Sequence, residues 1–368
     1  MIGEDVTSSL LEAKPLKPLK VDELDTKFLE DLARRVIEAT WQSGLIQWSW
    51  GEGVYLLSEV RFHELSNNQI PIRLVEWFRR QERLTLGHIN NVAPGAAASR
   101  LMCQGISIPP SIVKNLRDWV SNPKAATRAP NGAIEHWEGS VWADTCYMLG
   151  TFYLNLAQFT KERELVDFIG KQIVRHYEIL QDPKSHLFAH GSYRGETLWN
   201  FWGRGNAWMA LSSVEFLDAC EALEIETPEI EKVRIALNNQ LNSLASLIPE
   251  YGIWDVLVDG QSENKGIIET SATAGIGAAM VRGSRYLTDS SETLLQTGLR
   301  ACAAALTYID NQGVLTRTSA GTVLQLVPFG YSVIRNDRLQ LWGQGLALNA
   351  ITALLDSSRN VVSSPKRT

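Results

Sequence analysis

GSVWADTCYMLGTFYL, residues 139–154, opens on Gly, Ser and Trp and then runs into a long apolar stretch built largely from small residues. Five other stretches have the same composition: WSWGEGVYLLSEV from Trp48, HINNVAPGAAASRLM from His88, FWGRGNAWMALSSVEFL from Phe201, ETSATAGIGAAMV from Glu269 and LWGQGLALNAITALL from Leu341. Between them lie amphipathic segments with charged outer faces, such as ELDTKFLEDLARRVIEA (23–39) and RELVDFIGKQIVRHYEIL (163–180). A helix apolar all round is buried, and one with a single apolar stripe is a surface helix. The alternation therefore predicts six helical hairpins closed into a ring, small-residue helices inside and amphipathic ones outside.

Helix-start signals place the outer helices near Asp22, Pro71, Ser111, Lys161, Pro228 and Ser290. Strand signal is confined to GIWDVLVDG (252–260) and GVLTRTSAGTVLQLV (313–327), expected as short ribbons or loops at the rim. The inner stretches differ too much in sequence and spacing for a solenoid of equal repeats, and a DDxxD metal motif is absent. Pro15 and Pro18 make residues 1–20 an expected loose arm, and residues 21–368 are expected to form one domain.

The formal net charge of -6, without a basic cluster, argues against nucleic acid as a partner. The N-terminal twenty residues lack the apolar core of a signal peptide and no later stretch has the length of a membrane span, so a cytoplasmic protein without membrane contact is expected. Cys103, Cys146, Cys220 and Cys302 are widely spaced and lack neighbouring His at ligand spacing, which predicts free thiols and no metal site. No cofactor is implied, and either a monomer or a homodimer is compatible with the chain.

A ring of this kind collects the starts of its inner helices at one mouth, and Trp, His, Arg and Asp gather at those starts. Asp144 stands among Trp142, Tyr147 and Met148. It reads either as a capping Asp or as a general acid whose desolvation favours the neutral form. His136 and His190 each precede an inner helix. Arg204 lies between two glycines with Trp202 and Trp208 on either side, which suits a clamp for a carboxylate on a sugar ring; an Arg paired with a buried Asp or Glu is the alternative. Twelve tryptophans is a high count, and those at helix starts, Trp48 and Trp342 among them, are candidate stacking platforms.

Taken in order, VWADTCYM, HG at His190, FWGRGNAW and IETSATA resemble the unsaturated rhamnogalacturonyl and glucuronyl hydrolases of glycoside hydrolase families 105 and 88, from about Trp48 to the final GQGLALNAITALL. The resemblance implies an (α/α)6 barrel and an oligosaccharide substrate with a 4,5-unsaturated uronic acid at its non-reducing end. The implied chemistry is hydration of the enol-ether double bond. By position it assigns Asp144 as the catalytic acid, His190, Arg204 and, more loosely, His136 to substrate binding, and Trp202 and Trp208 to the pocket. Where the family commonly has a second Asp, this chain has Asn90, which hydrogen-bonds but does not titrate. Two alternatives stand beside this reading: an inverting glycosidase pairing Asp144 with Glu269 or Glu138, and a silent saccharide-binding protein created by Asn90.

Overall fold

The computed structural model describes residues 15–81, 83–287 and 290–363. Helices α1 (Thr26–Gln42) and α2 (Trp50–Leu65) form the first hairpin, α3 (Ile72–Arg79) and α4 (Pro94–Cys103) the second, and α5 (Pro110–Ser121) and α6 (Ala143–Thr160) the third. The fourth is α7 (Arg163–Leu180) with α8 (Gly203–Ala222), and the fifth is α9 (Glu229–Leu247) with α10 (Thr270–Gly283). In the sixth, α11 (Ser291–Leu306) reaches α13 (Leu341–Ser363) through a long connection that holds the one-turn helix α12 (Phe329–Ser332). Each inner helix packs on the next, and α13 packs back on α2, so the ring closes as an (α/α)6 barrel.

The burial follows the sequence pattern. In α1 the buried side chains are Leu29, Leu32, Ala33, Val36, Ile37 and Thr40, one stripe at helical spacing. By contrast α6 is buried without a break from Ala143 to Ala157, and α8 from Gly203 to Leu217. Most buried apolar side chains from Leu24 to Leu355 form one cluster, and a smaller one gathers Ile253, Ile268, Ala304, Tyr308, Leu315 and Ala347. Helix starts use the expected chemistry: Asp25 caps α1 by accepting from the Phe28 amide (2.7 Å), and Pro94 and Pro110 open α4 and α5. At one expected start, Lys161, the backbone is instead left-handed (φ 64°) and terminates α6, so α7 begins two residues later.

The segments 252–260 and 313–327 form only isolated bridges, Asp255 with Ile268 and Ile309 with Leu315 among them. The strand pair among the described residues lies elsewhere: β1 (Gly191–Tyr193) runs antiparallel to β2 (Glu196–Leu198). Its two-residue turn has positive φ at both Arg194 (51°) and Gly195 (85°), a geometry usually signalled by Asn-Gly rather than Arg-Gly. Of the expected loose arm, Met1–Lys14 lie outside the described residues, while Pro15–Lys20 are pinned. The Leu16 amide donates to the Tyr308 hydroxyl and the Leu19 amide to Thr307 Oγ1, both at 2.9 Å.

Away from the mouth, the inner helices share a buried ion-pair network. Glu215 of α8 accepts from Arg61 of α2 and Arg282 of α10 (both 2.7 Å), and Arg282 also reaches Asp218 (2.6 Å). Burial alone would raise the Glu215 carboxyl, but the two guanidinium groups outweigh it and hold it down at about 2.

Small residues set how closely the inner helices approach. At Gly53 of α2, a Cβ would fall 2.5 Å from the Pro94 nitrogen and 2.7 Å from Ala93 Cβ at the start of α4. The Gly53→Ala substitution forces those two helices apart and is expected to destabilise the protein by about 1–3 kcal/mol. Urea denaturation checks it, with a lowered midpoint at unchanged slope.

Candidate active site

Two chain segments from neighbouring hairpins are laced together at the mouth. The Ala143 amide donates to the His190 carbonyl (3.0 Å), the Ser192 amide to the Val141 carbonyl (2.8 Å) and the His190 amide to the Asn200 carbonyl (3.0 Å). This pairing sets Trp142, Asp144 and His190 beside one another. It also explains Gly191, where a Cβ would meet Trp142 Cδ1 at 2.8 Å and the Val141 carbonyl at 2.9 Å.

Asp144 stands in the first turn of α6 and is buried. Its Oδ2 has no hydrogen-bond partner and lies 3.8 Å from His190 Nε2, which also has none. Burial raises the carboxyl to about 6, although Arg204 pulls it the other way. His190 is fully buried, its Nδ1 2.8 Å from the Tyr331 hydroxyl. Burial, and secondarily the Arg204 charge, hold the ring well below the usual histidine range, so it is neutral. Trp202 packs against it with ring centres 4.2 Å apart.

His136 lies flat on Trp142 (ring centres 4.1 Å, 7° between planes), and His88 stands 5.1 Å from His136. Burial holds both histidines below the usual range, His136 further, and neither Nδ1 has a partner. Asn90 is buried in a 3-10 turn, Ile89–Val92, that packs on α6 and α2, and its Oδ1 is unpartnered. Trp202 Nε1 and Arg204 Nε are also buried without partners. Native proteins rarely leave buried polar atoms unpaired. This group of them at one end of the ring is the candidate site.

Arg204 takes the arrangement of the alternative reading, an Arg paired with a buried Glu. The side chain is fully buried and pairs with Glu269, also fully buried, at 3.0 Å. Its other bonds run to Ser319 Oγ (2.6 Å), the Ser319 carbonyl (3.1 Å), the Ala320 carbonyl (3.0 Å) and Thr322 Oγ1 (3.2 Å). Trp202 and Trp342 cover it at 4.4 and 5.5 Å, and Trp342 stacks on Trp50 with centres 4.4 Å apart. Both terminal nitrogens are thus spent on the protein, because a guanidinium in a dry interior pairs with the nearest carboxylate.

Two of the expected platforms serve other roles. Trp48 is buried against Trp77 (5.7 Å) and donates to the Asn91 carbonyl (2.9 Å), so it braces the turn that carries Asn90. Trp208 is fully buried deeper in α8 beside Tyr147 (4.8 Å).

The matching family model is Glycosyl Hydrolase Family 88, over residues 22–357. The chain belongs to that family.

Family 88 members are glycoside hydrolases, and similar proteins span the barrel end to end. The unsaturated rhamnogalacturonyl hydrolase YesR of Bacillus subtilis is 26% identical over 352 residues, covering 92% of this chain and 98% of that protein. A possible member of the GH105 family from Salmonella enterica serovar Paratyphi A superposes with a TM-score of 0.78 at 22% identity, covering 95% of this chain and 97% of that one. An unsaturated glucuronyl hydrolase from a Bacillus species that degrades glycosaminoglycan superposes at 0.66 with 14% identity, covering 90% and 97%.

Three polar residues at the starts of inner helices or beside His190 escaped the sequence reading. His88 had only its place before an inner helix, the signal that found His136. Glu52, in the first turn of α2, is buried and raised by that burial; nothing local distinguishes it from a helix-start Glu. Tyr331 comes from the connection between α11 and α13 and carries no local signal.

Removing Arg204 leaves Glu269 buried and unpaired, so Arg204→Gln is expected to cost about 3–5 kcal/mol of stability in urea denaturation. A residue that only gripped substrate would leave stability unchanged. Asp144 makes the opposite case. Its carboxyl is raised in the folded state, so its contribution is fully present below the ordinary Asp value and lost as pH rises through about 6. Asp144→Asn is therefore expected to be more stable than the parent at pH 8, by on the order of 3 kcal/mol, with the difference vanishing by pH 4. Thermal melts across that range read it directly.

Proposed function

We propose that the protein removes a 4,5-unsaturated uronic acid from the non-reducing end of lyase-generated oligosaccharides by hydrating the double bond. The observation that carries this reading is that Asp144 is a carboxyl raised by burial to about 6 with a free oxygen at the mouth, while Glu269, the other carboxylate considered for direct glycosidic attack, is locked into protein hydrogen bonds. Glu269 accepts from Arg204, from the Ser319 amide (2.8 Å) and from Ser271 Oγ (2.8 Å), and it caps α10 through the Ala272 amide. Glu138 is exposed on the rim. An inverting glycosidase needs an acid and a base flanking the bond. Hydration of an enol ether needs one group that first gives a proton and then takes one.

The proton of Asp144 goes to C4, forming a C–H bond and leaving a cation at C5 shared with the ring oxygen. Water adds at C5 and its proton passes to the Asp144 carboxylate, which restores the starting state with one water added. The hemiketal then opens at its bond to the ring oxygen, and the hemiacetal left at C1 releases the shortened sugar and an open-chain keto-uronate. The unpartnered atoms of His190, His136 and Asn90 serve the uronate hydroxyls and carboxylate. Trp202 and Trp142 wall the ring. Arg204 contributes its charge from behind the wall.

The four cysteines are free thiols, which suits a reducing compartment, and the reading places the protein in the cytoplasm. Among the described residues no helix is long and apolar enough to cross a membrane.

The test is loss of the ultraviolet absorbance of the conjugated uronate on lyase-digested pectin, rhamnogalacturonan and glycosaminoglycan fragments. Turnover of saturated glycosides with that absorbance unchanged, or saccharide binding without turnover, overturns the reading. The acid must be protonated in the free protein, so kcat/KM is expected to fall as pH rises through about 6. Asp144→Asn is expected to lower kcat by at least about 100-fold, while circular dichroism shows the fold retained.

A further inference from the structure

We propose that Tyr331 is a positioning residue of this site: its hydroxyl donates to His190 Nδ1 and fixes the ring as the tautomer that carries its proton on Nε2, facing Asp144. The function assigned to that proton rests on the hydration reading above; the tautomer itself does not.

The hydrogen-bond inventory of the two side chains sets the direction of the bond. Tyr331 is fully buried, and its oxygen lies 2.8 Å from His190 Nδ1. The phenol has one proton of its own to place, and burying a hydroxyl proton without an acceptor is costly. Nδ1 is the acceptor in reach. A neutral imidazole with Nδ1 accepting has its hydrogen on Nε2.

That nitrogen is the one aimed at the chemistry. Nε2 and Asp144 Oδ2 are 3.8 Å apart, both buried and both unpartnered. The gap is too long for a direct hydrogen bond. With hydrogen on Nε2, the ring offers a donor to the water or sugar oxygen held beside Asp144, and to the carboxylate left after proton transfer. The other tautomer would set a basic lone pair beside the general acid and compete for the proton meant for C4.

Tyr331 reaches the site from the opposite side of the ring to α6. It rides on α12, in the connection between α11 and α13, and that connection is tied to the mouth by several bonds. Asn200 Nδ2 donates to the Gln325 carbonyl (2.9 Å), Asn264 Nδ2 donates to the Pro328 carbonyl (3.1 Å), and Arg204 holds Ser319 to Thr322. The hydroxyl is therefore placed by a fixed segment and does not follow the histidine.

The test is long-range proton–nitrogen NMR of the full chain labelled with nitrogen-15 at histidine, with the His190 signals assigned by their loss in His190→Gln. The expected result is a pyrrole-type Nε2 and a pyridine-type Nδ1 in the parent protein, with mixed tautomers in Tyr331→Phe. On the best unsaturated substrate, Tyr331→Phe is expected to lower kcat about 10–100-fold, the usual cost of losing a partner that orients a functional histidine, with KM changed less than about threefold. A parent His190 with its proton on Nδ1, a doubly protonated ring, or a folded Tyr331→Phe with unchanged kcat overturns the proposal. The parent spectrum needs no substrate. It therefore decides the tautomer even if the absorbance assay shows that the hydration reading is wrong.

Discussion

The buried pair of Arg204 and Glu269 organises the mouth of this barrel. Neither side chain is exposed to water, and a charge in that position is tolerated only when its partner and its remaining hydrogen bonds are all in place. Meeting that demand draws together the first turn of α8, the cap of α10 and residues 319–322 of the connection that leads to α13. The positive charge acts on the chemistry without touching it. It tempers the rise that burial imposes on Asp144, and it helps to keep His190 neutral. The same arrangement leaves Asp144 as the free buried carboxyl at the Trp142–His190 junction.

How much was legible in the sequence depended on whether the governing interaction was local. Inner and outer helices could be told apart because burial on all sides and burial along one stripe leave different periodicities, as α6 and α1 show. Asp144 and His190 stood out because a polar residue at the start of an apolar helix is visible in a short window. Arg204 was visible for the same reason, but its partner, 65 residues away, was not, and its two readings could be separated only by the fold. Trp48 and Trp208 resembled platforms because tryptophan beside small residues looks alike whether it faces a cavity or a neighbouring ring. The hairpin at Gly191–Leu198 lacked the usual turn residues, and Tyr331 acts across 141 residues of chain.

The orphaned polar atoms give the site its character. His88 Nδ1, His136 Nδ1, Asn90 Oδ1, Trp202 Nε1, His190 Nε2 and Asp144 Oδ2 are all buried and unpaired, at an energetic cost that packing elsewhere must offset. The rest of the barrel supplies that stability through close approach of small residues and through the Arg61–Glu215–Arg282 network away from the mouth.

Closure of the ring ties the first hairpin to the sixth. Gln344 of α13 donates to Thr40 Oγ1 at the end of α1 (3.1 Å) and to the Gly313 carbonyl (2.9 Å), and α13 lies along α2. During synthesis the first hairpin leaves the ribosome long before the helix that completes its apolar seam. Five hairpins must wait with one flank of α2 and one flank of α10 uncovered until the last helix is translated. Contacts spanning most of the chain carry a large loop-closure cost and form slowly. The nascent barrel is thus an open arc with two sticky edges, the state in which such a chain meets chaperones or joins edges with another copy of itself.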